Sequence, residues 1–413
     1  MVRIIVLGGS GIATPGLAEA LARIPGRTTS MELVLVGRSA GKLASVAAVT
    51  RMMAGDDPLL TVSHTTDIEA ALLGADYVLN QVRVGGMAAR AFDESFPQKI
   101  GLPGEETVGA GGFANASRTI PVVLEYARLV ERIAPHALLL TLTNPSSLVQ
   151  YAISRYTQMH VIGLCDMPVT MVETIARAVG VPVEELTVDY VGMHHFGWIT
   201  GVWRQDKDLL PEVLAKAADV AKEFEPAVVQ SIGAIPNAYL KYVFHPDRML
   251  AKTKGRRTRG EELLDLQERI LADYERSLAA GQMPAALAQR GARWYHAIIA
   301  PVLVDLVEGR RGKRQAVRHV LDVTNGQIVP WLPSEAVVEV SALVQGGRVQ
   351  PLVTRPVPPD LKALVQANCA YEMMAVEAIV ERDRAKALRA LLLNPVRHTY
   401  DQAVAVVERA WKP

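Results

Sequence analysis

The chain has 413 residues, half of them apolar, and 44 basic side chains against 43 acidic ones leave a formal charge of +1. That balance offers no field for nucleic acid or an anionic membrane surface, while the length allows a large buried core in one or two domains. Two cysteines, Cys165 and Cys369, are too few for a disulfide framework and suit a reducing cytoplasm, and no apolar run approaches the roughly 18 residues of a membrane span.

The first apolar run, 3–9, reads as a strand that ends in the glycine turn Gly8, Gly9, Ser10 and Gly11. Thr14 and Pro15 then stand as N-cap and first residue of a helix with Leu17, Leu21 and Ile24 on one face. Similar runs at 31–37, 75–82, 137–144 and 160–166 are short and nearly all apolar, the pattern of strands buried on both faces of a parallel sheet. Their alternation with helical patterns predicts an α/β fold, a doubly wound Rossmann-type parallel sheet over residues 1–190. Beyond it, helical stretches at 211–224, 261–279, 297–308 and 359–394 surround a β-like patch at 336–353, which predicts a mixed α+β domain over 191–413.

The glycine turn sits where backbone N–H groups can face a dinucleotide pyrophosphate. It is not a clean G-x-G-x-x-G, because Ser10 and Ala13 stand at the second and third glycine positions, so a plain tight turn is the competing reading. After the second strand no acid waits for a ribose 2′-hydroxyl; Arg38 stands there, either on the surface or facing a 2′-phosphate. The neighbouring string GRSAGKL lacks one spacer and the final Ser or Thr of a phosphate loop. The basic run at 252–260 reads as a solvated loop.

Two later strand ends place Thr143-Asn144-Pro145 and Cys165-Asp166 where α/β proteins keep their chemistry. A lone cysteine is usually a small core group, although here an aspartate follows it directly. His194 and His195, in an apolar stretch, read either as satisfied core groups or as metal ligands. With no C-x-x-C and no H-E-x-x-H, a metal site has to be assembled from distant residues.

The stretches NQVRVGG (80–86), GEETVGAGGF (104–113), TNPSS (143–147), GLCDMP (163–168), GMHHFGW (192–198) and IPNAYLKYVFHP (235–246) together resemble glycoside hydrolase family four. Its members are NAD- and manganese-dependent 6-phosphoglycosidases and α-galactosidase relatives. The resemblance implies Cys165 and His195 as manganese ligands, and Arg83, Asn144, His194 and Arg290 as contacts to the sugar and its anionic group. It implies NAD over Gly8, Gly9, Ser10, Gly11, Ile12 and Arg38, with NADP left open by that arginine. Hydride would leave C3 of the sugar, Tyr239 would take the C2 proton, and Asp166 would protonate the departing C1 substituent, as in α-specific members. Water then adds and the hydride returns. The implied substrate is a small glycoside with an anionic C6 group, the α anomer favoured, turned over by a cytoplasmic homodimer or homotetramer without nucleic-acid or membrane partners. Competing readings are a related NAD-dependent glycosidase of other specificity and, from a different class, a hydroxy-acid dehydrogenase or a catalytically dead nucleotide-binding regulator; for Tyr239 alone the alternative is simple packing on Tyr242 and Phe244.

Overall fold

In the computed structural model, which describes residues 1–412, thirteen strands form one sheet. The first six are β1 (Val2–Leu7), β2 (Met31–Val36), β3 (Leu60–Thr65), β4 (Tyr77–Asn80), β5 (Leu138–Thr141) and β6 (Val161–Gly163). They run parallel in the spatial order β3-β2-β1-β4-β5-β6. Alternate side chains of β1 enter two cores: Ile4 and Val6 pack on one face of the sheet, Ile5 and Leu7 on the other. Strands covered on both faces are continuous apolar runs, which is why this block is legible in the sequence. The strand order reverses between β1 and β4, and the crevice beyond their carboxyl ends is the place such a sheet binds ligands.

The later strands are β7 (Leu186–Met193), β8 (Phe196–Arg204), β9 (Lys207–Asp208), β10 (Ile235–Pro236), β11 (Val317–Thr324), β12 (Val337–Gln345) and β13 (Arg348–Pro351). They extend the same sheet: β11 lies antiparallel to β6 with Asp322 opposite Gly163, and β12, β7, β8 and β10 follow outward. Residue 190 thus lies inside β7, and one hydrogen-bonded sheet passes through both halves of the chain.

Five strands stand where the apolar runs place them. β3 has no such run, because it is a half-exposed edge strand of sequence LTVSHT with little apolar signal. The patch at 336–353 is the β12–β13 hairpin. Two helical stretches are broken. The first divides into Leu210–Ala215 and Ala217–Val220. The last divides at Arg382, left-handed with φ 58°, after which Asp383 caps Arg384–Leu393 by accepting from the Lys386 N–H at 2.9 Å. Thr14 is not a side-chain cap for the helix Pro15–Arg23; its own backbone is helical and its hydroxyl accepts from Gln81 Nε2 at 2.9 Å. No helix among the described residues is long and apolar enough to cross a membrane.

Candidate functional site

After Leu7 the backbone turns through Gly8 at φ +80°. A Cβ on Gly9 would lie 2.8 Å from both Leu35 Cβ and the Val36 nitrogen, so only hydrogen lets the turn lie flat against β2. Gln81 braces the turn from below: its Nε2 donates to Gly8 O at 3.3 Å and to Thr14, and its Oε1 accepts from the Tyr295 hydroxyl at 2.8 Å. A cavity of about 580 Å³ opens above, and Gly8, Ser10, Gly11, Ile12 and Arg38 line that end of it. Gly9 lies beneath the wall. Lys42, on the helix Ala40–Ala54, joins Arg38 there, and burial lowers its pKa. Sequence reasoning misses Lys42 because it belongs to the rejected GRSAGKL string.

The same cavity reaches the ends of β5 and β6 and the two-residue turn of the β7–β8 hairpin. In a strand, neighbouring side chains point to opposite faces. His194 and His195 escape that rule because they form the turn, and His195 is left-handed at φ 62°. Both rings therefore face one side, with centroids 4.1 Å apart. One donor atom from each of Cys165, His194 and His195, all buried, falls within 4.8 Å of the others.

Hydrogen bonds behind the rings fix their roles. The Thr107 hydroxyl donates to Glu105 Oε2 at 2.6 Å and lies 3.2 Å from His195 Nδ1. With its hydrogen committed to the carboxylate, that oxygen accepts from Nδ1–H, and His195 keeps its Nε2 lone pair. Burial, followed by the neighbouring His194, drives the His195 pKa well down, so the ring is neutral. His194 Nδ1 lies 2.9 Å from Asp322 Oδ2, and its Nε2 lies 3.0 Å from Asn144 Oδ1. Burial opposes a charge on His194, but Asp322 and then Glu339 outweigh it and hold the pKa up to about 9. Burial, then Glu339 and Asp166, push the Cys165 thiol well up, so a thiolate there requires a cation beside it. Thiol and imidazole are donors that suit a divalent transition metal, and the residues fit one.

The Tyr239 ring lies on His195, with centroids 3.7 Å apart and planes 4° from parallel. Its backbone N–H donates to Asn237 Oδ1 at 3.0 Å, which sets the turn that aims it. Tyr242 is 6.3 Å away, while Phe244 packs on Phe224 instead. Burial, then Glu105, raise the phenol pKa well above its ordinary value. Asp166 is half-buried on the wall, and burial raises its carboxyl.

The far end is arginine-rich. Arg83, Arg90, Arg259 and Arg290 line it with the buried Glu106. Glu106 pairs with Arg83 and, at 2.8 Å, with Arg90; burial opposes its charge, but those arginines hold its pKa below the usual range. Burial, then Arg90 and Arg83, bring the Arg290 pKa down to about 10, and its guanidinium sits 4.7 Å over the Trp294 ring. Positive charge exceeds negative there, which suits an anionic substrate group. Arg259 belongs to the basic run read as a solvated loop, yet it faces the cavity. Glu105, Glu106 and Thr107 lie in a stretch quoted for its resemblance, but no spacing rule gives them a role. Asp322 sits on β11, for which the sequence carries no clear strand signal.

The Family 4 glycosyl hydrolase model matches residues 3–181, and the Family 4 glycosyl hydrolase C-terminal domain matches 190–397. The chain is 30% identical to the "Probable 6-phospho-beta-glucosidase" of Bacillus subtilis (strain 168), over 95% of this chain and 92% of that protein. It is 26% identical to the 6-phospho-alpha-glucosidase of Leptotrichia buccalis, over 98% of this chain and 96% of the relative. The 6-phospho-beta glucosidase of Thermotoga maritima, solved with manganese, NAD+ and glucose-6-phosphate, superposes with a TM-score of 0.87 at 27% identity, over 98% of this chain and 97% of that one. Matched along almost its whole length in sequence and in fold, the chain belongs to family 4 of the glycosyl hydrolases, enzymes that act on glycosyl bonds.

Proposed function

We propose that this protein cleaves 6-phospho-glucosides, the α anomer favoured, with a bound dinucleotide and a divalent metal. One observation carries the proposal: a glycine turn, a thiol–imidazole cluster and an arginine-rich end all open into one cavity. The tight seat of Gly9 against β2 fits a dinucleotide, and the Cys165–His195 pair fits manganese. Relatives are named for both anomers, and a phosphorylated sugar, NAD+ and manganese occupy the Thermotoga maritima structure.

When bound, the nicotinamide supplies reversible oxidation at C3 of the sugar and the cation supplies Lewis-acid polarisation beside it. The residues do the rest. Arg83 and Arg290, joined by Arg90 and Arg259, hold the C6 anion, while Asn144 meets the ring. Tyr239 removes the C2 proton; its raised pKa is opposed by a nearby cation, which favours the phenolate. Asp166, kept protonated more readily by burial, gives its proton to the leaving oxygen at C1. An acid at this position is what favours the α anomer. The enzyme is placed in a reducing cytoplasm, in keeping with its free, buried Cys165 and Cys369, and as a homodimer or homotetramer, which light scattering tests.

The deciding experiment offers nitrophenyl 6-phospho-α- and β-glucosides and their unphosphorylated forms, with Mn²⁺ and either NAD or NADP. Cleavage of the 6-phospho-α substrate is expected, dependent on both additions, with C2 deuterium in product made in D₂O. No cleavage of any phosphorylated substrate, or product free of deuterium, overturns the proposal. NADP is a second reading for the cofactor, favoured by Arg38 and Lys42 lining the cavity and by the lack of an acid after β2.

A further inference from the structure

His194 has surroundings that a sugar contact does not require. Asp322, fully buried on β11, lies 2.9 Å from Nδ1, and Glu339 on β12 stands 3.9 Å from the same nitrogen. A carboxylate at Nδ1 orients the ring and leaves Nε2 as its outward atom, 3.0 Å from Asn144 Oδ1 on the cavity wall.

The cluster geometry says which cation fits. His195 repeats the arrangement, its Nδ1 committed to Thr107 and its Nε2 free. The left-handed turn at His195 sets both rings on one side, and Cys165 closes the triangle within 4.8 Å. Behind it, Asp322 Oδ1 is buried with no hydrogen-bond partner among the described residues. Carboxylates behind an imidazole are the partners that commonly orient a metal-bound histidine.

Resting on the assignment of Cys165 and His195 to a divalent ion, we propose that His194 is a third protein ligand, its Nε2 on the metal and its ring oriented by Asp322. A Cys-His-His set is richer in soft donors than one thiolate and one imidazole. Such a site binds Co²⁺ or Zn²⁺ more tightly than Mn²⁺ and retains them through dialysis. His194 then acts on the sugar only by way of the ion.

The test counts nitrogens. Protein labelled with ¹⁵N-histidine, stripped with chelator and reloaded with Mn²⁺, is read by electron spin-echo or electron–nuclear double resonance spectroscopy. Two coupled imidazoles are expected in the wild type and one in His194→Asn. One imidazole in the wild type overturns the proposal and leaves the metal at Cys165 and His195. No coupled imidazole shows that the two-ligand assignment has failed, and the proposal with it. Because the wild-type count needs no variant, misfolding cannot obscure it. Asp322→Asn adds an independent readout: Co²⁺ affinity should fall by about 10–100-fold, the typical effect of losing a ligand's orienting partner. The thiolate–cobalt absorption should remain at saturation, and an unchanged Co²⁺ affinity counts against the proposal.

Discussion

Tyr239 reaches the cavity as a flat plate on His195, so its ring and its oxygen can be separated by mutation. In Tyr239→Phe the stack survives, and stability should change by no more than about 1 kcal/mol, one hydrogen bond's worth. Turnover should fall on the order of 10²–10⁴-fold, the usual contribution of a general base. Thermal unfolding and hydrolysis of a 6-phospho-glucoside read the two effects separately, and near wild-type turnover would return Tyr239 to a packing role. Cys165→Ser should keep the fold and lose bound metal, which metal analysis after dialysis detects; full retention of manganese would remove Cys165 from the site. Residues of this kind are legible because a strand end is a place where chemistry collects: Asn144, Cys165 and Asp166 announce themselves by position. Asp322 is not, since it acts through an imidazole 128 residues away in the chain and no local spacing records that.

Among elements, the β1 turn and the β7–β8 hairpin set the two ends of the cavity. Gly9→Ala would place a methyl 2.8 Å from the backbone nitrogen of Val36, which cannot move without opening the β1–β2 pairing. Overpacking of this sort costs about 1–3 kcal/mol. A lower melting temperature and weaker binding of NAD by titration are expected; unaltered affinity would mean that the dinucleotide lies elsewhere. The turn is readable, because glycines set between an apolar run and a helix mark a tight strand-to-helix reversal with its backbone N–H groups uncovered. The hairpin is not. Its turn is His-His and not the Asn-Gly that signals such turns, so β7 and β8 look like an apolar stretch holding two histidines. Helix ends are misjudged where periodicity continues across a break, as at Arg382, where a left-handed residue and the Asp383 cap begin a new helix.

Across the whole molecule, buried acids make stability depend on pH. Glu372, in the helix Pro359–Glu381, accepts from Asn368 Nδ2 at 2.8 Å through one oxygen, while Oε2 has no partner among the described residues. Burial outweighs the nearby Ser147 hydroxyl and the Asn368 hydrogen bond and pushes its pKa up to about 7 from an ordinary 4.5. The native state therefore prefers the protonated form: this stabilisation is complete below the ordinary value and is lost as pH rises through the raised one. Denaturant midpoints should fall between those two values, and Glu372→Gln should make the fall shallower, Asp93, whose pKa burial raises to about 7, supplying part of the rest; a flat wild-type profile over that window would contradict the assignment. A second molecular property follows from the pairing of β6 with β11. Cys165 follows the first of these strands and Asp322 lies on the second, so the proposed metal cluster straddles the line along which the halves would have to be parted. A fragment ending before β7 would leave the β6 edge unpaired and open to association with other chains. For the same reason, chimeras that take their first half from one relative and their second from another inherit a join running through the metal cluster. They should lose hold of the ion, and the glycine turn stands on the same join, since the Tyr274 hydroxyl donates to Ile12 O at 2.6 Å and the Tyr295 hydroxyl to Gln81 at 2.8 Å.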